Sequence, residues 1–286
     1  MKFARGKFAV MVLTTALGAT LTACGTSTDG GNTAAAEPPA DPKAALTASA
    51  SGLKAGDYAF ISESPAGKGK GVVHKDSKSA NLTMFVEEDG IKGSIAFRFV
   101  DTDRYAKFDM DTKALSAQLK DVDTSDPEMA EMVEGLEDMV DMFSGKKWQH
   151  VDLTKVKEPG ELSLDEENPD LTGASDLIAG VVTAEGDART ITGTLDATKS
   201  DQTNSPWDAD DLKAMGAAAK ALPYTATLDE QGRLTKLSFE APKAGEIPAG
   251  TWSVTISGYG EQTAQAKPPA DKTEEMSAQG YEMLNS

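Results

Sequence analysis

The 286-residue sequence has one cysteine, Cys24, and two histidines, His74 and His150. A lone thiol closes no disulfide within the chain, so stability has to come from a conventional core. The two histidines stand in no H-E-x-x-H or comparable spacing and read as isolated strand residues. Aromatic residues are 6% of the chain, and Trp148, Trp207 and Trp252 are scattered. No G-x-S-x-G is present, so there is no nucleophile elbow. Gly67-Lys68-Gly69-Lys70-Gly71 lacks the Walker pattern and a following helix. Basic residues are scarce, with 28 Lys and Arg against 46 Asp and Glu and a net charge of −18. That balance excludes nucleic acid, whose phosphates need a basic face. It also opposes lying flat on anionic head groups. The carboxylates at Asp101/Asp103, Asp109/Asp111 and Asp121/Asp123 have D-x-D spacing but do not continue into a calcium loop. No catalytic, metal or cofactor constellation emerges, and the chain reads as a non-enzyme.

The cysteine that is present is well placed. Lys2, Arg5 and Lys7 precede an apolar run from Phe8 to about Thr20, and Leu21-Thr22-Ala23-Cys24 follows. A basic segment and then a short apolar one describe a secretory signal peptide. A membrane-spanning helix needs about 20 apolar residues. The Leu-Thr-Ala-Cys end resembles the lipobox of bacterial lipoproteins. That resemblance implies cleavage after Ala23 and a thioether-linked diacylglycerol on Cys24. Two acyl chains anchor stably where one does not. The expected location is the extracytoplasmic face of the cell membrane. Without residues 1–23 the chain keeps 25 Lys and Arg against 46 Asp and Glu, a charge of −21.

Residues 24–42 hold the lipidated cysteine and a Gly, Ser, Thr, Ala and Pro segment that reads as a flexible tether. Residues 43–286 read as a single domain. Period-two alternation marks strands at Ser94–Val100, Thr190–Leu195, Pro223–Asp229 and Thr251–Ser257. Glu88-Asp89-Gly90 and Asp229-Glu230-Gln231-Gly232 read as hairpin loops. Pro127–Phe143 carries Met129, Met132, Val133, Leu136, Met139, Val140 and Phe143 at helical spacing, opposite a nearly continuous acidic face. Ser125 or Asp126 suits its N-cap and Gly145 its end. Further helices are expected near 112–120, 174–183, 208–221 and 273–284. Hairpins without a βαβ rhythm point to α+β with an antiparallel sheet. Large antiparallel sheets curl, and helices on the inner side would leave an apolar pocket.

The order of segments is similar to the LppX/LprG-type lipoproteins of the LolA-like superfamily. The residues concerned are the Tyr105–Phe108 strand, Gly145-Lys146-Lys147-Trp148-Gln149-His150-Val151-Asp152, and the Arg189–Asp196 strand. Leu222–Asp229 with Gly232–Leu237 follows, then Trp252–Gly258 and Pro268-Pro269. Leu228 stands where the family often has a bulkier aromatic, and the strongly acidic 127–143 helix is a second departure from its pattern. The resemblance implies a curved antiparallel half-barrel of about ten strands. Helices would cover its concave face around a cavity for the acyl chains of a lipid or glycolipid. Cavity candidates are Phe97, Phe99, Leu136, Met139, Val140, Leu195, Leu228, Val254 and Ile256, each of which also suits ordinary core. The methionine stripe serves either role. A second reading is a lipid-free module presenting its acidic face to a membrane or envelope protein.

Overall fold

The computed structural model describes residues 41–285, save 66, 89–90, 121, 123–124, 158–161, 163, 165–167, 188, 201–206, 208 and 246. Its first helix, α1 (Pro42–Ala55), is set by local chemistry. The Asp41 carboxylate accepts from the Ala44 amide at 2.7 Å, Pro42 takes the first turn, and Gly56 ends the helix at φ 69°. This helix was not expected, because Leu46 and Leu53 are its only large apolar residues and show no stripe. Its small residues Ala45, Ser49 and Ala50 are buried with them.

Five strands follow: β1 (Asp57–Ser64), β2 (Gly67–His74), β3 (Ser79–Glu88), β4 (Ile91–Val100) and β5 (Asp103–Met110). Helices α2 (Lys113–Leu119) and α3 (Pro127–Met142) come next, then β6 (Trp148–His150), α4 (Ala174–Ala179), β7 (Val181–Gly186) and β8 (Thr190–Leu195). After α5 (Ala209–Met215) come β9 (Leu222–Leu228), β10 (Leu234–Ala241) and β11 (Gly250–Ser257). The chain closes with β12 (Thr273–Glu275) and α6 (Ala278–Leu284).

The twelve strands form one sheet in the order β12-β6-β5-β4-β3-β2-β1-β11-β10-β9-β8-β7. Pairing of β1 with β11 joins the two runs of hairpins. The sheet is open, and it is mixed because β12 runs parallel to β6. The expected purely antiparallel sheet is corrected there. The parallel edge arises because residues 261–269 cross from β11 to the far side before pairing. Along the way the Gln262 amide donates to Asp57, the Gln265 amide to Ser79 Oγ, and Arg98 to the Ala266 carbonyl. Lys267 then pairs with Asp103 and holds that carboxyl below its usual range.

Two other expectations need correction. The helix expected over 174–183 stops at Ala179. Gly180 follows, and β-branched Val181, Val182 and Thr183 begin β7. The helix expected over 273–284 starts as strand β12, and Ser277 caps only its second half, α6. Elsewhere the caps act as read. Asp126 accepts from the Glu128 amide at 2.8 Å, and Gly145 turns the chain after α3 at φ 70°.

The register places one apolar face across nearly the whole sheet. Phe108, Ile95, Met84, Gly69 and Ser62 lie side by side, continuing through Val254, Leu237, Ala226 and Ile191. α1 packs with α4 and against β1, β7, β9 and β10. Their core includes Leu46, Leu53, Tyr58, Ile191, Leu195, Leu222 and Leu237. A second cluster under α6 and the end of α3 joins Ala106, Phe108, Met142, Val151, Met276 and Tyr281. Phe97 touches both clusters.

Three phenols donate to backbone carbonyls: buried Tyr58 to Pro169, buried Tyr224 to Thr183 and half-buried Tyr259 to Leu234. Burial pushes Tyr224 up to about 12 and raises Tyr58 and Tyr259 as well. An unfolded phenol titrates near ~10. Stability from these groups is therefore complete below that pH and falls as pH rises through the folded values. The urea midpoint is expected to drop between about pH 10 and 12, together with the appearance of phenolate absorbance. A midpoint flat across that window would contradict the burial of these hydroxyls.

Candidate functional site

The apolar sheet face is unevenly covered. Toward β7–β10, helices α1 and α4 bury it fully, with Ile191, Leu195, Leu222 and Leu234 at 1% exposure or less. Toward β5 and β6, Met142, Met276 and Tyr281 lie over it. Between these covers, Leu82 and Met84 on β3 and Ile95 and Phe97 on β4 are only half-buried. Leu82 stands opposite Phe97, and Met84 opposite Ile95. This seam of four apolar side chains is the candidate site.

Glycines flank it on β2. A Cβ at Gly71 would come within 2.4 Å of the Phe60 ring, and one at Gly69 within 2.6 Å of Ser62 Oγ. The Phe60 ring thus occupies the space a side chain would fill at Gly71, beside Leu82. Gly93 on β4 has the same relation to Met110 Sδ, at 2.2 Å from a built Cβ.

The nine residues singled out for a cavity divide into groups. Phe97, Phe99, Leu195, Leu228, Val254 and Ile256 all project from this one sheet face. Of these, Phe99, Leu195, Leu228, Val254 and Ile256 are packed within the larger core cluster, and Phe97 lies in the seam. Leu136, Met139 and Val140 sit half-buried on α3. Val140 lines a cleft of about 190 Å³ between α2 and α3 with Leu119, Ser116, Lys120, Glu137 and Asp141. A larger cleft of about 560 Å³ borders α5 and is lined by Leu212, Ala209, Ala217, Thr198, Lys213 and Lys220. The second volume falls within the ~300–1,000 Å³ common for small-molecule sites, and the first is below it. Cys24 lies outside the described residues.

Sequence reading missed Leu82 and Met84. They alternate with Asn81 and Thr83 just ahead of the Glu88-Asp89-Gly90 hairpin loop, so their common face was legible. Their partial exposure was not, because it depends on where the helices end.

α3 carries the exposed apolar residues Met129 and Met132, at 36% and 50% exposure, among exposed Glu128, Glu131 and Glu134. His150 lies on β6 with Nδ1 3.0 Å from Glu275 and Nε2 3.3 Å from Asp103, its ring beside Tyr105. Among the described residues no three His, Cys, Asp or Glu side chains gather as a metal site. No described helix is long and apolar enough to cross a membrane.

Comparison with protein-family models finds no match, and comparison with curated proteins finds none either.

Proposed function

We propose that this chain is a membrane-anchored lipoprotein of the extracytoplasmic face that binds or carries a lipid or glycolipid. The observation that carries the reading is the half-covered seam Leu82–Met84–Ile95–Phe97 within an otherwise buried apolar face. An acyl chain laid there would replace water on these side chains. Covering ~200 Å² of apolar surface is worth about 5 kcal/mol before the costs of ordering. In this reading the sheet curls about its apolar face as a half-barrel, α1 and α4 close one end of the concave side, and the ligand occupies the gap. Leu136, Met139 and Val140 of α3 supply further apolar contact at its border. The anchor is the lipid on Cys24, and the mechanism is non-covalent shielding with no cofactor.

The test is lipid mass spectrometry beside native mass spectrometry on the full chain carrying Cys24→Ser. That change removes covalently attached acyl groups from the signal. One defined lipid per chain is expected. Phe97→Asp and Leu82→Asp should each reduce loading at least tenfold, because a carboxylate facing an acyl chain is left without solvent or partner. A chain that carries no lipid and takes up none when offered would overturn the reading.

A second reading keeps the anchor but replaces the lipid with a protein partner. The exposed Met129 and Met132 on the acidic helix favour it. Glu131→Lys with Glu134→Lys would then abolish capture of that partner while leaving lipid content unchanged.

A further inference from the structure

We propose that the opposite, solvent-facing side of the sheet is a docking surface for an anionic lipid bilayer. The inference goes beyond the lipid-binding reading and uses the other face, so either can fail alone.

The register builds this surface. One transverse row runs Thr190, Thr227, Lys236, Thr255, Ile61, Lys70, Thr83, Ala96, Lys107. It contains three lysines and no acid across nine strands. Lys236, Lys70 and Lys107 are each three strands apart, roughly 14 Å at the usual strand spacing. In an acidic chain this is a regular line of positive charge.

The adjacent row carries Glu63, paired with Lys68 at 2.7 Å, and Glu185 on the β7 edge; one row further out Glu87 is paired with Lys92 at 2.7 Å and Glu240 accepts from Thr251. Asp109 lies at the β5 side, next to Gly145. Arg98 and Lys107 sit over the Trp148 ring at 4.7 and 6.0 Å.

Two large apolar side chains project from the middle of this face. Ile61 is 55% exposed and Phe85 is 44% exposed, and the Lys70 ammonium lies 5.5 Å from the Phe85 ring centre. A soluble polyanion would engage the lysines and leave Ile61 and Phe85 in water. A bilayer interface accepts both, with lysines at the phosphates and apolar side chains at the acyl boundary.

The net charge does not forbid this arrangement. The acidic α3 does not belong to this face: it ends with Met142 and Phe143 against Phe108 of the apolar face. At physiological salt, exposed charges more than about 8 Å apart are largely screened from one another. The tether reading is compatible, since the 17 residues from Cys24 to Asp41 could extend by at most ~60 Å.

The experiment is vesicle co-sedimentation of the full chain carrying Cys24→Ser, so no acyl anchor contributes. Vesicles of phosphatidylcholine alone are compared with vesicles containing one-third phosphatidylglycerol. Preferential binding to the anionic vesicles is expected, falling as salt is raised. Lys70→Gln and Lys236→Gln should each weaken it about fivefold, and Phe85→Ser with Ile61→Ser should weaken it comparably. The basic and apolar N-terminal run is present in every variant, so the difference between variants and parent, not the binding of the parent alone, reads the sheet face. These side chains are exposed, and unchanged melting curves will establish that each variant is folded. Equal binding to both vesicle types, no binding to either, or variants that bind like the parent would overturn the proposal. So would binding carried only by the lysines with no contribution from Ile61 and Phe85, which would indicate a soluble polyanion instead.

Discussion

Trp207→Ala is expected to destabilise the fold by about 3–5 kcal/mol, the usual cost of deleting a buried large aromatic side chain. Trp207 is 1% exposed and stands just before α5. Its ring meets Phe239 at 5.2 Å and Trp252 at 5.3 Å, while Phe239 and Trp252 stack 6.2 Å apart at 12°. Phe239 and Trp252 face each other across β10 and β11 on the apolar side of the sheet. Trp207 therefore covers that part of the face. With about 2–4 °C lost per kcal/mol in a domain of this size, the melting temperature should fall by about 10 °C. Trp207→Phe should recover part of the loss, since it restores apolar volume and one ring contact. A fall of only a degree or two for the alanine variant, measured by calorimetry, would show that the site collapses without a cavity.

Asp170→Ala should cost a similar amount by a different mechanism. Asp170 is 1% exposed, and its carboxylate accepts four hydrogen bonds. Oδ1 accepts from the Thr172 amide at 2.8 Å and hydroxyl at 2.5 Å, and Oδ2 from the Ser175 amide at 2.8 Å and hydroxyl at 2.7 Å. These bonds tie the loop after Pro169 to the first turn of α4, whose Ser175 is itself buried. The neighbouring Tyr58 hydroxyl completes the knot, donating to Pro169 and accepting from the Leu171 amide. Alanine leaves buried donors without acceptors, at about 1–3 kcal/mol for each group left unmet. The expected total is about 3–4 kcal/mol, with partial relief because hydroxyls can turn elsewhere. Asp170→Asn keeps the shape but sets an amide against donors, so it should lose about half as much. Because α4 supports α1, amide exchange should accelerate in both helices. An unchanged urea midpoint, or faster exchange confined to the loop, would sink this account.

Strands with one wet and one dry side were readable from period two. Trp252, Val254 and Ile256 alternate with Thr and Ser, and β11 lies where that pattern put it. α3 was readable from its stripe, its Asp126-Pro127 start and its Gly145 end. The signals failed where local preference and pairing compete. Thr273–Glu275 looks helical in sequence, yet it pairs with β6 because the preceding strap delivers it to an open edge. α1 was hidden because its packing depends on small residues that carry no hydrophobic periodicity.

The candidate site divides in the same way. Which side chains share a face follows from residue parity, so Phe97, Phe99, Val254 and Ile256 could be grouped without coordinates. Whether such a side chain is sealed or available depends on contacts between elements distant in sequence. Phe99 and Phe97 are two residues apart on β4. One is 3% exposed in the core, and the other lies in the half-covered seam where α1 and α4 end and α6 has not begun.

Charge shows the same limit. The sequence by itself determined the total of −18, the lipobox-like Cys24 and the acidic stripe of residues 127–143. It could not place Lys236, Lys70 and Lys107 in one row, because that row exists only through the pairing of seven strands from β10 to β5. Alternation is a property of a single strand and is written locally. Register and cover are properties of long-range pairs, which the tertiary structure decides when the apolar face closes against helices from both ends of the chain.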